Sequence, residues 1–148
     1  MIGDRPIPLQ APKLSADEVS LFLLEVFPQI AIGKAYKVEE TRHGFARVRM
    51  SFGDHILRPG GTISGPAMFT LADLAMYAAV LASIGRVAHA VTTNLNINFL
   101  RKPGQREMIG EARLLKLGKR LAMGEVALHS DGETELAAHA TSTYSLPG

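Results

Sequence analysis

The feature that most constrains the fold is a long apolar segment carrying one charged side chain. From Pro59 to Gly85 the only charged residue is Asp73. Pro66 suits the first turn of a helix, where its missing N–H costs nothing, and Gly85 is a residue that typically ends one. Nearly every face is apolar between Gly65 and Ser83, which predicts a helix wrapped by other structure. The segment is long enough to span a bilayer, but its central carboxylate favours a buried helix in a soluble protein, with no membrane partner.

Shorter predicted elements surround this helix, and most of them are strands. Ser15 and Glu18 form a capping-box pattern that predicts a short helix, and Pro28 ends it. Alternating apolar and polar residues, separated by turn-forming residues, predict strands over residues 33–41, 45–52, 89–100, 107–117, 120–130 and 134–145. A single antiparallel sheet curled around the long helix satisfies this order of elements.

The strand predicted over residues 89–100 alternates strictly. Its asparagines fall on one face together with Thr92, while Leu95 and Phe99 fall on the other. A regular strand therefore predicts that Thr92 points to the same side of the sheet as Asn94.

The composition excludes several classes of function. The chain fits one domain, spanning residues 1–148, with residues 1–13 as an extended, proline-containing arm. It has no cysteine, which excludes disulfides and thiolate chemistry. Its net charge is only +2, and its basic residues are scattered along the chain, so no nucleic-acid partner is expected. The N-terminal segment lacks the apolar stretch of a signal peptide, and a cytoplasmic location is expected.

Asp73 is the residue that most needs an explanation. Burying a lone carboxylate costs several kcal/mol, so the group must be paired, neutral or functional. Taken alone, a structural carboxylate bonded to a nearby hydroxyl or basic group explains it as well as a catalytic one. Gly60, Gly61 and Gly65 precede the helix, and free N–H groups at a helix N-terminus can form an oxyanion hole. The glycines alone are a weak signal, because they also suit a tight loop.

The spacing of these two features constrains the assembly. Gly65 and Asp73 are eight residues apart on one helix, and therefore about 12 Å apart along its axis. One substrate carbon cannot contact both. If both serve one reaction, Asp73 of one subunit has to face Gly65 of another, which predicts an active site at a two-fold interface.

Two adjacent segments carry a resemblance to a known family. HILRPGGTISGPAMFTLADLAMYAAV, followed by AVTTNLNINFLRKP, resembles the hotdog-fold acyl-CoA thioesterases, and most closely the subgroup typified by the phenylacetate-pathway (PaaI-like) thioesterase. The resemblance covers residues 35–145. It implies an α+β hotdog fold, in which a curved antiparallel sheet wraps around one long central helix. It also implies a homodimer with a continuous sheet, often paired again into a homotetramer.

The same resemblance implies roles for three residues. Asp73 stands at the catalytic acid position, as general base or as nucleophile. Gly65 stands where the family's backbone N–H binds the thioester oxygen. Thr92 stands where many members place a serine or threonine near the catalytic water. The implied reaction is hydrolysis of a small or medium acyl-CoA.

The chain departs from the family pattern in the loop before the helix. Ser64 stands where the family usually has histidine, and Pro66 where it has a further glycine. Arg58 replaces an asparagine or glutamine that often orients substrate or water. These changes leave room for an altered substrate, and they make Arg58 and Ser64 candidate substrate-binding residues. His55 is a candidate polar partner in this loop, or alternatively a surface histidine.

Coenzyme A and its acyl group require further contacts. In the family, basic residues near two pairs of residues in this chain often meet the nucleotide end, and solvated hairpin charges are the alternative explanation; the pairs are Arg101-Lys102 and Lys119-Arg120. The acyl pocket is expected between helix and sheet, with Met68, Leu71 and Tyr77 as candidates. The histidines form no H-x-x-x-H pair, so neither a metal nor a cofactor beyond the coenzyme A of the substrate is expected.

Four alternative functions are weighed against hydrolysis of an acyl-CoA. An enoyl-CoA or acyl-carrier dehydratase on the same fold needs a histidine paired with the acid. Ser64 replaces the matching one, and His55 keeps this alternative open. A non-catalytic acyl-CoA-binding module has no need of Asp73. A serine hydrolase using Ser64 lacks the G-x-S-x-G elbow, and a P-loop lacks Gly-Lys-Ser/Thr after the glycines.

Overall fold

The computed structural model describes residues 10–147. Within them a six-stranded antiparallel sheet has the strand order β1-β2-β4-β5-β6-β3. The elements are α1 (Ala16–Val26), β1 (Tyr36–Arg42), β2 (Phe45–Met50), α2 (Gly65–Ile84), β3 (Val91–Phe99), β4 (Met108–Leu117), β5 (Leu121–Ser130) and β6 (Ala138–Ser145). Single 3₁₀ turns cover Pro28–Ile30 and Asp54–Ile56. The predicted order of helices and strands is confirmed. Residues 1–9 of the predicted arm lie outside the described residues, and residues 10–13 form neither helix nor strand.

Both helices begin where the sequence predicts. The Ser15 side chain accepts a hydrogen bond from the Glu18 amide at 3.1 Å, and the Glu18 carboxylate accepts one from the Ser15 amide at 3.0 Å. The Ser64 hydroxyl accepts from the Ala67 amide at 3.2 Å and caps α2. Gly85 follows the last turn of α2 with φ of 100°, a conformation that glycine adopts without strain. These caps satisfy amides that the helices themselves leave unpaired.

The long helix packs closely on one face of the sheet, so that most of its length is buried. Two glycines of the sheet allow this close approach. A Cβ added at Gly110 would lie 3.1 Å from Leu71 Cγ. A Cβ added at Gly124 would lie 2.9 Å from Met76 Sδ and 2.6 Å from the Arg113 carbonyl oxygen. The absence of side chains at these positions sets the distance between helix and sheet.

We expect Gly124→Ala to lower the free energy of unfolding by about 1–3 kcal/mol, because the backbone carbonyl it meets cannot move aside. The matched control is Gly118→Ala in the exposed β4–β5 turn, where the new Cβ would be in ordinary contact, 3.6 Å from the Leu121 carbonyl oxygen. Urea denaturation of both variants measures the difference. Equal stabilities would contradict the close-packing argument.

A β-bulge changes the orientation of Thr92 from the one that strict alternation predicts. Thr92 pairs with Tyr144 and Leu95 pairs with Ser142, with a register shift between Thr92 and Asn94. Tyr144 and Ser142 are two residues apart on β6 and share a face, so Thr92 and Leu95 share that inner face as well. The prediction that Thr92 points with Asn94 is therefore wrong, because the extra residue turns Thr92 toward the helix.

Candidate active site

Asp73 lies half-buried at the wall of a cavity of about 450 Å³, here called the Asp73 cavity. Helical spacing places Phe69, Asp73 and Tyr77 on one face of α2, one turn apart. The end of α1, the Ala88–Ala90 region and the start of β3 complete the walls. Most of these side chains are apolar. A carboxylate at this position is therefore an exception in an otherwise apolar cavity.

Two hydroxyl groups hold one oxygen of the Asp73 carboxylate. Thr92 Oγ1 donates to Asp73 Oδ1 at 2.7 Å, and the Tyr144 hydroxyl donates to the same oxygen at 2.8 Å. No donor in residues 10–147 reaches Oδ2. Burial first, and then the adjacent Asp73 carboxylate, raise the pKa of the Tyr144 phenol, so Tyr144 remains a donor at neutral pH. The arrangement keeps one carboxylate oxygen occupied and leaves the other for chemistry.

Tyr144 itself is supported by a second tyrosine. The rings of Tyr77 and Tyr144 stack with centroids 5.9 Å apart and an interplanar angle of 16°. The Tyr77 hydroxyl donates to the Ala88 carbonyl at 3.3 Å, with the Val87 carbonyl at 3.5 Å. Burial raises the pKa of Tyr77. Both hydroxyls are thus engaged by the protein, and the stacked rings form a largely apolar wall.

Gly65 lines a different cavity of about 610 Å³, here called the Gly65 cavity. Gly65 is the first residue of α2, and its N–H donates to no group among the described residues. Gly60 and Gly61 in the preceding loop have φ of 99° and 82°, which glycine adopts most readily. The helix start therefore presents a free amide beside a cavity, and within one chain that cavity is distinct from the Asp73 cavity.

The other predicted site residues separate into three groups. Arg58, Arg101 and Lys102 line the Gly65 cavity, and Arg101 forms an ion pair with Glu135. Ser64 caps α2 through its side chain. The remaining three are exposed and line neither cavity; they are His55, Lys119 and Arg120.

The three candidates for the acyl pocket also differ in position. Tyr77 lines the Asp73 cavity, whereas Met68 lines the Gly65 cavity. Leu71 is fully buried in the core beside Gly110 and lines neither cavity. Tyr144 was not predicted as a site residue. In the sequence Tyr144 is marked only by its place in an alternating strand. The pairing of β6 with β3, which brings it to Asp73, cannot be read from the sequence.

Comparisons with known proteins agree on the fold and the family. The family model of the thioesterase superfamily matches residues 60–137. A provisionally named esterase from Saccharolobus solfataricus is 32% identical over 90% of this chain and 86% of its own length. A provisionally named thioesterase from Silicibacter sp. TM1040 has a crystal structure with a TM-score of 0.84 and 45% identity, covering 93% of this chain and 94% of that one. A point mutant of the phenylacetic acid degradation protein PaaI from Thermus thermophilus superposes with a TM-score of 0.70 at 25% identity, covering 81% and 99% of the two chains.

A sheet wrapped on a long central helix is the hotdog fold, and the matching family and relatives identify the chain as a thioester hydrolase. The chain belongs to the thioesterase superfamily and has PaaI-like proteins among its structural relatives. The predicted fold and family are confirmed.

Proposed function

We propose that this protein hydrolyses acyl-CoA thioesters at a site shared by two subunits. In each site Asp73 of one subunit activates water and the Gly65 N–H of the other polarises the thioester carbonyl. The observation that carries the proposal is the Asp73 carboxylate. One of its oxygens is held by Thr92 and Tyr144, and the other has no donor in the part of the chain that the structure describes. No histidine within residues 10–147 lines the Asp73 cavity, which argues against the dehydratase alternative.

The proposed reaction balances without any group beyond water. Asp73 Oδ2 takes one proton as the water oxygen bonds to the thioester carbon, and the Gly65 N–H donates to the oxyanion that forms. Collapse of this intermediate breaks the carbon–sulfur bond and expels the thiolate. The thiolate accepts the proton from Asp73, which restores the carboxylate and releases a free thiol and a carboxylic acid.

Asp73 can also attack the thioester directly, which would form an anhydride and release the thiolate before water enters. A single turnover in ¹⁸O-labelled water follows the oxygen that is transferred. A general base puts the label in the product acid. Hydrolysis of an anhydride at the Asp73 carbonyl carbon instead puts the label in Asp73 and an unlabelled Asp73 oxygen in the product, so label in Asp73 identifies direct attack.

The proposal includes a homodimer, because within one chain Asp73 and Gly65 line separate cavities. β3 pairs with β6 along one edge, and its other edge has no partner within the described residues. Val91 and Phe99 on this edge strand are 54% and 53% exposed, an arrangement that favours pairing with a second strand. Pairing of two β3 strands would continue the sheet and bring the Gly65 cavity of one subunit toward the Asp73 cavity of its partner. A homotetramer would add a second such pair.

The Gly65 cavity has the charge expected for the nucleotide end of coenzyme A. Arg58 and Lys102 are exposed, and neither forms an ion pair within residues 10–147. Cations of this kind attract phosphate groups and contribute modestly where solvent screens them. Their position beside Gly65 supports a substrate that carries phosphates at one end and a thioester at the other.

The coenzyme A assignment is tested by measuring thiol release from a panel of acyl-CoAs. The wild-type protein is compared with the double variant Arg58→Ala/Lys102→Ala. We expect the double variant to raise KM for the acyl-CoA roughly tenfold, which is the effect of losing two solvent-screened ion pairs. The KM for the matching N-acetylcysteamine thioester, which has no nucleotide, should stay the same. The control is Lys34→Ala/Lys37→Ala, which also removes two positive charges. Lys37 lies in β1 and Lys34 just before it, at the edge of the sheet opposite to β3. An equal rise in KM for both thioesters, or for both variants, would contradict a nucleotide contact in the Gly65 cavity.

A further inference from the structure

We infer that Tyr144 is a positioning residue for the reaction: together with Thr92 it fixes Asp73 Oδ1, which makes Oδ2 the oxygen that receives the proton of water. The inference rests on the proposed role of Asp73. Both hydroxyl donors lie within 2.8 Å of the same oxygen. A free carboxylate can rotate about its last side-chain torsion and exchange its two oxygens. Two donors from different strands on one oxygen prevent that exchange.

Three elements pack around Tyr144. The residue is 3% exposed and lies on β6 between Ala122 of β5 and Thr92 of β3. The Tyr77 ring of α2 stacks on it. Because the position of the hydroxyl is set by the sheet and that of Asp73 by the helix, their hydrogen bond locks the carboxylate relative to the fold. Such preorganisation is what a catalytic base requires.

Among residues 10–147 the Tyr144 hydroxyl has two acceptors for its single proton, and both belong to Asp73. The hydroxyl lies 2.8 Å from Oδ1 and 3.1 Å from the backbone carbonyl oxygen of Asp73. The bond to the ionised carboxylate is charge-assisted and therefore preferred. When Oδ2 takes up a proton, the charge disappears and the hydroxyl can turn to the carbonyl without movement of the ring. A buried donor thus has an acceptor in both protonation states of Asp73, which avoids the cost of an unpaired group.

The principal test is Tyr144→Phe, which keeps the ring and its stacking on Tyr77. We expect kcat to fall on the order of tenfold to a hundredfold, the size of effect that a misplaced catalytic group produces, with little change in KM. The acidic limb of the kcat/KM profile should move to higher pH, because the ionised carboxylate loses one of its two donors. A merely structural tyrosine would leave the position of that limb unchanged.

Three further variants separate this effect from general damage to the site. Tyr77→Phe removes the same atom from the stacked ring but no contact with Asp73, so the acidic limb should stay at the wild-type pH whatever happens to KM. Thr92→Val combined with Tyr144→Phe removes both donors and should move the limb further. Replacing Tyr144 by 3-fluorotyrosine keeps the ring and provides a stronger donor, so the limb should move to lower pH. This last substitution tests the inference even if Tyr144→Phe does not fold.

The assays use an S-acyl-N-acetylcysteamine thioester, so that they do not depend on recognition of coenzyme A. Full activity of Asp73→Asn on this substrate would overturn the proposed function. If Asp73→Asn is inactive while Tyr144→Phe retains both the wild-type kcat and the wild-type pH profile, the proposed function stands and the role of Tyr144 is wrong. A fall in kcat with no shift of the acidic limb, in a normally folded Tyr144→Phe, also overturns it.

Discussion

Asp73→Asn is expected to lower kcat by at least about a hundredfold, a typical effect of removing a general base. The change is nearly isosteric. Thr92 and Tyr144 both donate to Oδ1, so they select the amide oxygen at that place and put the NH₂ group at the place of Oδ2. An amide nitrogen there cannot take a proton from water. The variant should therefore fold normally and bind substrate, with the loss confined to kcat.

Thiol release under saturating substrate measures this prediction, and thermal melting checks the fold. Ser64→Ala is the contrast within the same helix, because Ser64 caps α2 and makes no contact with Asp73. It should cost about 1 kcal/mol of stability, as loss of an N-cap does, with only a small change in kcat. Turnover by Asp73→Asn equal to that of the wild type would remove Asp73 from its proposed role.

Gly65→Pro is expected to lower kcat by about a hundredfold to a thousandfold, the usual effect of losing one oxyanion donor. Proline removes the N–H but suits the start of a helix. It also adds a Cβ, which at this position would lie 3.3 Å from Phe99 Cζ. Gly65→Ala adds the same atom and keeps the N–H, so it is the matched control for crowding. Equal losses in the two variants would assign the effect to Phe99 rather than to the oxyanion.

Mixing Gly65→Pro with Asp73→Asn subunits tests whether the site is shared. In a mixed dimer one site combines an intact Asp73 with an intact Gly65 N–H, and the other site has neither. Random pairing of equal amounts makes half of the dimers mixed, so about a quarter of all sites become whole. Co-expression with two affinity tags isolates the mixed dimer. Activity that stays at the level of the separate variants would place both groups of a site in one chain and contradict the shared site.

Local physical chemistry explains why the long helix was predictable. The apolar run, Pro66 in the first turn and Gly85 at the end define α2 from neighbouring residues alone, and its boundaries are Gly65–Ile84. The capping box of α1 has the same local origin. The resemblance to the thioesterases added the fold as a whole, and the family comparison confirms it.

The bulge in β3 marks the limit of pattern reasoning at the site. Side chains along a strand alternate between its two faces with a period of two. One extra residue therefore reverses the predicted direction of every side chain on one side of it. The residues around Thr92 contain no glycine or proline that signals such an irregularity. Only pairing with β6 places Thr92 opposite Tyr144 and turns its hydroxyl toward Asp73.

By itself the sequence determined that a carboxylate would lie within a buried helix and that a helix start rich in glycine would precede it. Both are properties of a few adjacent residues, so local propensity and spacing specify them. The tertiary structure alone decided which oxygen of Asp73 is held, because its partners come from residues 92 and 144. Contacts between residues so far apart in the chain depend on strand order and register, which no local pattern encodes.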